Sequence, residues 1–172
     1  MQILKVISLL LDYPEEALRS AHKELAEAIC SAREISPDQR GSLLRLLDEL
    51  AGDELMDVQE RYTELFDRGR ALSLLLFEHV HAESRDRGQA MVDLMSQYEK
   101  AGLQLDCREL PDYLPLYLEY LSIVTDDEAR DGLQNVAPIL ALIGGRLKQR
   151  GVAHYQLFDA LLALAGTRRS EE

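Results

Sequence analysis

The apolar positions of this 172-residue chain recur at intervals of three and four, the spacing that places side chains on one face of an α-helix. Helix-ending residues such as Gly52 and Gly102, and the capping residue Ser36, punctuate the pattern. Pro138 falls inside a long helical region, where it either kinks the helix or restarts it. The predicted helices cover residues 2–11, 15–34, 37–52, 53–69, 84–102, 111–121, 128–150 and 153–165, with residues 125–127 separating the last long helix from the one before it.

The kinds of apolar residue present favour helices over strands. Leu and Ala dominate, and runs rich in Val, Ile and Thr are missing. We therefore expect an all-α, single-domain bundle of about seven to nine helices over residues 1–166. Residues 167–172 are polar, and we expect them to form a frayed tail.

The chain is strongly acidic, with 19 Lys and Arg against 31 Asp and Glu and a formal charge of −12. Such a surface repels phosphate groups and anionic lipid headgroups, so we expect neither nucleic-acid binding nor membrane insertion. It attracts a basic partner, although net charge also serves solubility alone. Residues 3–11 are apolar but short, contain Lys5 and lack a cleavage site, so they predict a packed helix and not a signal peptide. We expect a cytoplasmic monomer.

The candidate reactive side chains are few. Cys30 and Cys107 lie far apart in the sequence, and we expect each to be a buried or half-buried thiol. His79 and His81, flanked by Glu78 and Glu83, are the one cluster that resembles a metal site. Residues two apart diverge on a helix, and no third strong ligand lies nearby, so a hydrogen-bonded structural role is the alternative. Phosphate-binding glycine loops and nucleophile elbows are absent from the sequence.

One segment interrupts the helical pattern while remaining dense in aromatic and charged residues. It covers residues 64–70 (ELFDRGR), 73–81 (SLLLFEHVH) and 83–91 (ESRDRGQAM). Alternating Arg and Asp or Glu beside aromatic residues indicates ion pairs that fix one bend against another. The segment is therefore either a purely structural corner or part of a binding site.

These blocks, with residues 108–120 (RELPDYLPLYLEY), 137–141 (APILA) and 157–159 (LFD), resemble the NarJ-type chaperones of the nitrate reductase delta subunit family. The likeness covers about residues 7–165, in blocks that keep their order. More distantly, the chain is similar to TorD-like chaperones of other molybdoenzymes. Members often carry a longer C-terminal tail, whereas this chain ends at Glu172, so a contact made by such a tail is outside the prediction.

The resemblance implies a non-catalytic chaperone with a TorD/NarJ-like helical fold. Such a chaperone binds the N-terminal segment of the nitrate reductase catalytic subunit in the cytoplasm. It holds the apoenzyme for molybdenum cofactor and iron–sulfur insertion before membrane docking, binds no cofactor stably, and is absent from the final enzyme. The alternatives are a metal-dependent hydrolase using His79 and His81, and a stable structural subunit of the complex.

A helical bundle can receive the apolar face of a basic, amphipathic partner helix in a groove. We expect that groove between the corner at residues 65–77 and the tyrosine-bearing helix at residues 111–121. Tyrosine suits such a surface because it combines a rigid apolar face with a polar tip. Asp112 and Glu119 are expected to meet cations of the partner. The predicted partner-peptide-binding residues are Leu65, Phe66, Arg70, Leu74, Phe77, Glu78, His79, Asp112, Tyr113, Leu116, Tyr117, Glu119 and Tyr120.

Overall fold

The computed structural model describes residues 1–80, 84–106 and 109–166; His81, Glu83, Cys107 and the tail at 167–172 lie outside these ranges. The described chain forms nine α-helices, a 3₁₀ turn at Leu76–Glu78 and no β-strand, which confirms the predicted all-α bundle. The helices are α1 (Gln2–Leu11), α2 (Glu16–Ser20), α3 (His22–Ser31), α4 (Pro37–Gly52), α5 (Leu55–Phe66), α6 (Ser84–Lys100), α7 (Leu114–Leu121), α8 (Asp126–Gln149) and α9 (Tyr155–Leu164).

Helix α1 lies at the centre of the bundle. Helices α3, α7 and α9 all contact it, and the Ser8 hydroxyl donates a buried hydrogen bond of 2.6 Å to the Pro115 carbonyl of α7. A helix that is apolar around most of its circumference must be enclosed by other elements. The expected packed helix at residues 3–11 is thus present. Its buried apolar residues are Ile3, Leu4, Val6, Ile7, Leu10 and Leu11.

Helices α8 and α9 form the most extensive helix pair. The Thr125 hydroxyl caps α8 by accepting from the Glu128 amide at 3.1 Å, as part of a capping box. The helix continues through Pro138 and through Gly144-Gly145, so Pro138 does not restart it. Helix α9 can approach closely at Gly144, because glycine has no side chain to separate the two backbones. No helix in the described ranges has both the length and the apolar character needed to cross a bilayer.

Several predicted helix boundaries are wrong. The segment at residues 15–34 is two helices, which break at Ala21 although the sequence contains neither Gly nor Pro there. After the break, α3 contacts both α1 and α4, whereas α2 lies against α4. Helix α5 begins at Leu55 instead of Asp53, and α7 begins at Leu114 instead of Pro111.

Helix α6 buries only part of its apolar face. Leu94 and Tyr98 of its apolar stripe are buried, whereas Met95 is 47% exposed. The Tyr98 hydroxyl anchors the helix through a 2.6 Å hydrogen bond to the Pro111 carbonyl. The expectation of a buried or half-buried thiol is wrong for Cys30, which is exposed on α3 whereas the preceding residue, Ile29, is buried.

Candidate functional site

The two sequence blocks that interrupt the helical pattern meet in the structure. Leu75 and Tyr113 form an isolated antiparallel bridge. The Leu76 amide donates to the Asp112 carbonyl at 2.9 Å, and the Leu114 amide donates to the Leu74 carbonyl at 2.8 Å. This pairing explains why α7 begins late, since Pro111 and Asp112 form a turn and Tyr113 is held extended by the bridge to Leu75. Backbone hydrogen bonds therefore hold the corner, and the exposed Glu64–Arg68 ion pair at 3.9 Å adds little.

Asp112 supports this corner from inside the protein. Its side chain is 1% exposed, and its Oδ2 accepts a 3.0 Å hydrogen bond from the Phe77 amide. Its Oδ1 has no hydrogen-bond partner in the described chain. Burial raises the pKa of this carboxyl, although the hydrogen bond from Phe77 opposes that shift. Asp112 therefore stabilises the turn at Phe77, and its carboxylate is not on the surface where a partner's cation would approach.

Tyr113 is fixed by a short hydrogen-bond chain. Its hydroxyl donates to Asp12 Oδ1 at 2.8 Å and lies 2.7 Å from the Tyr62 hydroxyl. Burial raises the pKa of both tyrosines, so both hydroxyls keep their protons and can donate. The chain ties the end of α1 to α5 and to the start of α7, which holds the Tyr113 ring rigidly.

The corner and α5 enclose a first concavity, of about 430 Å³, which we call the polar cleft. Five of the predicted site residues line it, namely Phe66, Leu74, Tyr113, Arg70 and Glu78. Phe66 and Leu74 are nearly buried and form its floor, while Arg70 is exposed. Tyr62, Asp67, Gly69, Ser73 and Leu75 complete the lining.

A second concavity, of about 420 Å³, opens on the other side of Tyr62, and we call it the apolar cleft. Of the predicted site residues it contains Leu65 alone. Sequence reasoning missed the rest because Pro14, the consecutive helices α4 and α5, and the turn after α8 lie far apart in the chain. His154 gave no usable signal as an isolated histidine. The lining consists of Pro14, Leu46, Glu49, Leu50, Asp53, Val58, Arg61, Tyr62, Glu64, Leu65, Val152, Ala153 and His154.

His154 lies where the apolar cleft meets the ring of Phe66. The two ring centroids are 5.6 Å apart in an edge-on arrangement. Burial, with a further contribution from the nearby Arg61 guanidinium, lowers the pKa of the imidazole to about 4. At neutral pH the ring is therefore uncharged.

The predicted residues of α7 occupy two different environments. Leu116 and Tyr117 are buried, at 4% and 7% exposure, so they belong to the core and line neither cleft. Tyr120 is half-buried, with its ring 4.9 Å from that of Tyr98. Glu119 forms an ion pair with Lys5 at 3.2 Å. A role for these four residues in partner binding stays a prediction, and for the two buried ones it requires a rearrangement of the bundle.

The remaining predicted residues lie at the rim of the corner. Phe77 is half-buried against the core, and His79 Nε2 donates to the Ser73 carbonyl at 2.9 Å. The predicted structural role of His79 thus has a hydrogen bond to support it. Within the described ranges, no group of three His, Cys, Asp or Glu side chains could hold a metal ion, and His81 and Glu83 lie outside those ranges.

Comparison with known proteins identifies the family. The family model described as nitrate reductase delta subunit matches residues 12–158. The chain is 60% identical over its whole length to a probable nitrate reductase molybdenum cofactor assembly chaperone, NarW, of Escherichia coli K12, and covers 71% of that protein.

Two other relatives are the nitrate reductase molybdenum cofactor assembly chaperone NarJ of Escherichia coli K12 and its probable counterpart in Bacillus subtilis. The chain is 54% identical to the first over 95% of its own length and 70% of the relative. It is 30% identical to the second over 96% of its own length and 91% of the relative. The chain therefore belongs to the nitrate reductase delta subunit family, as its signature blocks predicted.

Proposed function

We propose that this chain is a non-catalytic, system-specific chaperone for the catalytic subunit of respiratory nitrate reductase. The observation that carries the proposal is the 60% identity, along the entire chain, to a relative named as a molybdenum cofactor assembly chaperone of nitrate reductase. In this proposal the protein acts as a cytoplasmic monomer. It holds the apo-subunit while the molybdenum cofactor and iron–sulfur clusters are inserted, and it dissociates before the finished enzyme docks at the membrane.

The polar cleft is the proposed site for the N-terminal segment of the catalytic subunit. Its floor of Phe66 and Leu74 offers apolar contact, and Tyr113 offers a rigid aromatic wall. Asp67 and Glu78 supply carboxylates at the same cleft, where they can meet Lys or Arg of a basic amphipathic helix. Phe77 and His79 adjoin this site through the turn at Leu76–Glu78.

Calorimetry with a synthetic peptide of about the first 20 residues of the catalytic subunit tests this proposal. Glu78→Lys reverses one charge in the polar cleft, and we expect it to weaken binding about tenfold, since truncating or reversing a central charge contact costs more than about 1 kcal/mol. Asp131→Lys, on the exposed side of α8, makes the same change of net charge away from both clefts and should leave the affinity within about twofold.

The possible outcomes test the proposed chaperone function and the proposed binding site separately. Absence of binding by the unmodified protein would overturn the proposed partner segment. Equal loss in both variants would show that net charge alone matters and would remove the polar cleft from the proposal. Stable co-purification with mature, cofactor-loaded enzyme would instead indicate a structural subunit.

A further inference from the structure

The apolar cleft adjoins the polar cleft at Tyr62, which lines both. Helix α5 is the shared wall, since Leu65 faces the apolar cleft while the next residue, Phe66, faces the polar one. A partner helix lying across α5 can therefore reach both concavities at once. The volume of about 420 Å³ is within the range of about 300–1,000 Å³ that pockets for specific binding occupy.

Most of the lining of this cleft is aliphatic. Leu46 and Leu50 come from α4, Val58 and Leu65 from α5, and Val152 from the turn before α9. Leu46, Leu50 and Val58 are buried, whereas Leu65 and Val152 are only partly buried and offer apolar surface that a partner can cover. The cleft accordingly favours an aliphatic or aromatic side chain over a charged one.

The charged residues at the mouth of the apolar cleft determine which kind of partner residue can lie next to that side chain. Glu49, Asp53 and Glu64 supply three carboxylates and Arg61 one guanidinium, and the Arg19 guanidinium donates to the Asp53 carbonyl beside them. Arg61 is already paired with Asp53 at 2.8 Å. Glu49 forms no ion pair within the described residues, and Glu64 is only loosely paired, to Arg68 at 3.9 Å. Glu49 therefore supplies a negative charge at the mouth that no ion pair of the described residues neutralises, and this charge complements Lys or Arg.

His154 adds a polar group to an otherwise apolar wall. Its ring makes no hydrogen bond within the described chain, and its edge-on contact with Phe66 connects the wall of one cleft to the floor of the other. An uncharged imidazole adds no positive charge that would oppose a cationic partner. An occupant of the apolar cleft would therefore lie next to the ring that contacts Phe66.

We propose that the apolar cleft binds one large aliphatic or aromatic side chain of the same partner segment, adjacent in that segment to a Lys or Arg that pairs with Glu49 or Glu64. The proposal rests on the proposed function and deepens it. The partner segment would then be recognised at two points, with one of its side chains (an anchor) in each cleft on either side of Tyr62. A partner that carries only one anchor is then discriminated against, which is a basis for system specificity.

The test uses the full chain and the same synthetic N-terminal peptide. Ala153→Phe places a ring in the apolar cleft, and we expect it to weaken binding about tenfold. Ala141→Phe adds the same ring at an exposed position of α8 that lines neither cleft, so it should leave the affinity within about twofold. Urea unfolding of both variants checks that each remains folded.

The affinity of a charge-reversal variant gives a second test, at an exposed position where the substitution should not disturb the fold. Glu49 is exposed on α4, and Glu49→Lys should weaken binding about threefold to tenfold and reduce its dependence on salt. Glu60→Lys makes the same charge change on α5 at an exposed position outside both clefts, and its effect should be smaller.

The side chain that fills the cleft is identified by replacing each apolar residue of the peptide with Ala in turn. One replacement should weaken binding to the unmodified protein about tenfold but have less than a twofold effect on Ala153→Phe, because its pocket is already filled. If no replacement shows this coupling, or if Ala153→Phe binds normally while Glu78→Lys does not, the second anchor is wrong and the proposed function survives. If the unmodified protein does not bind the peptide at all, the proposed function fails first, and this inference fails with it.

Discussion

Gly144 of α8 lies so close to Phe158 of α9 that a Cβ at position 144 would be 2.9 Å from the Phe158 Cβ. The contact explains why a glycine is needed in the middle of a long helix. Its neighbour Gly145 is different, since a Cβ there would meet nothing within 4 Å. The adjacent glycines of one helix therefore have opposite structural roles.

Because of this difference, substitution by alanine should change the free energy of unfolding in opposite directions at the two positions. Gly144→Ala should lower the free energy of unfolding by about 1–3 kcal/mol. The Phe158 Cβ is bonded directly to the backbone of α9, so that backbone must shift to make room for the new methyl group. Gly145→Ala should raise the free energy of unfolding by about 0.5–1 kcal/mol, because alanine restricts the unfolded chain more than glycine does. Urea denaturation measures both, and destabilisation of equal size in the two variants would contradict the assigned close approach.

Tyr117 gives a prediction that separates folding from partner binding. Its hydroxyl donates to the Gly132 carbonyl at 2.9 Å, and the residue is 7% exposed. Tyr117→Phe should cost about 1 kcal/mol of unfolding free energy by removing that buried hydrogen bond. Tyr117→Ala should cost about 3–5 kcal/mol because it also leaves a cavity.

The peptide affinity of Tyr117→Phe is the informative quantity, since the alanine variant measures mainly folding. We expect it to be unchanged, because Tyr117 lines neither cleft. A clear loss of affinity in a folded Tyr117→Phe protein would support the sequence prediction that Tyr117 contacts the partner after α7 rearranges.

Asp112 should make the protein less stable as the pH rises above the ordinary range for a carboxyl. Burial raises its pKa in the folded state, so between the ordinary and the raised value the folded state binds more protons than the unfolded state. Stability from this group is therefore full at low pH and is lost as the pH rises through the folded pKa. Asp112→Asn, which keeps an oxygen acceptor for the Phe77 amide, should remove this loss.

Urea unfolding at pH 4 and pH 7 checks the sign. At pH 7 we expect Asp112→Asn to be at least as stable as the unmodified protein. Asp112→Ala should be less stable by about 1–3 kcal/mol, because the Phe77 amide loses its side-chain acceptor. A markedly unstable Asp112→Asn protein at pH 7 would mean that the charge itself stabilises the corner.

His154 should weaken the fold on acidification. Its pKa is about 4 in the folded protein against 6.5 for an ordinary imidazole, so the unfolded state binds more protons between those values. The free energy of unfolding should therefore fall as the pH drops from about 6.5 to about 4, by up to about 3 kcal/mol from this residue.

The comparison with His154→Gln isolates that contribution from the carboxyl groups that titrate in the same range. The variant should lose less stability between pH 6.5 and pH 4 than the unmodified protein. His22→Gln removes a partly exposed imidazole that lies 2.8 Å from Asp48 Oδ1 and serves as the comparison at a second histidine. Identical pH profiles for the unmodified protein and His154→Gln would show that the ring is not enclosed in solution.

The family and the helical class followed from sequence because both depend on local patterns. The periodicity of three and four fixes which face of each helix is apolar, and the capping residue Ser36 and the helix bounds Gln2–Leu11 and Pro37–Gly52 were predicted correctly. The signature blocks likewise identified the nitrate reductase delta subunit family without reference to coordinates.

Tertiary structure decided the helix boundaries and the clefts that depend on contacts between distant parts of the chain. The pairing of Leu75 with Tyr113 delays the start of α7, and a continuous helical pattern breaks at Ala21, after which α3 contacts α1 as well as α4. Periodicity shows that Tyr117 lies on an apolar face but not whether a neighbouring helix covers that face. The apolar cleft could not be predicted because its walls are assembled from segments more than 100 residues apart, from Pro14 to His154, and only the folded chain brings them together.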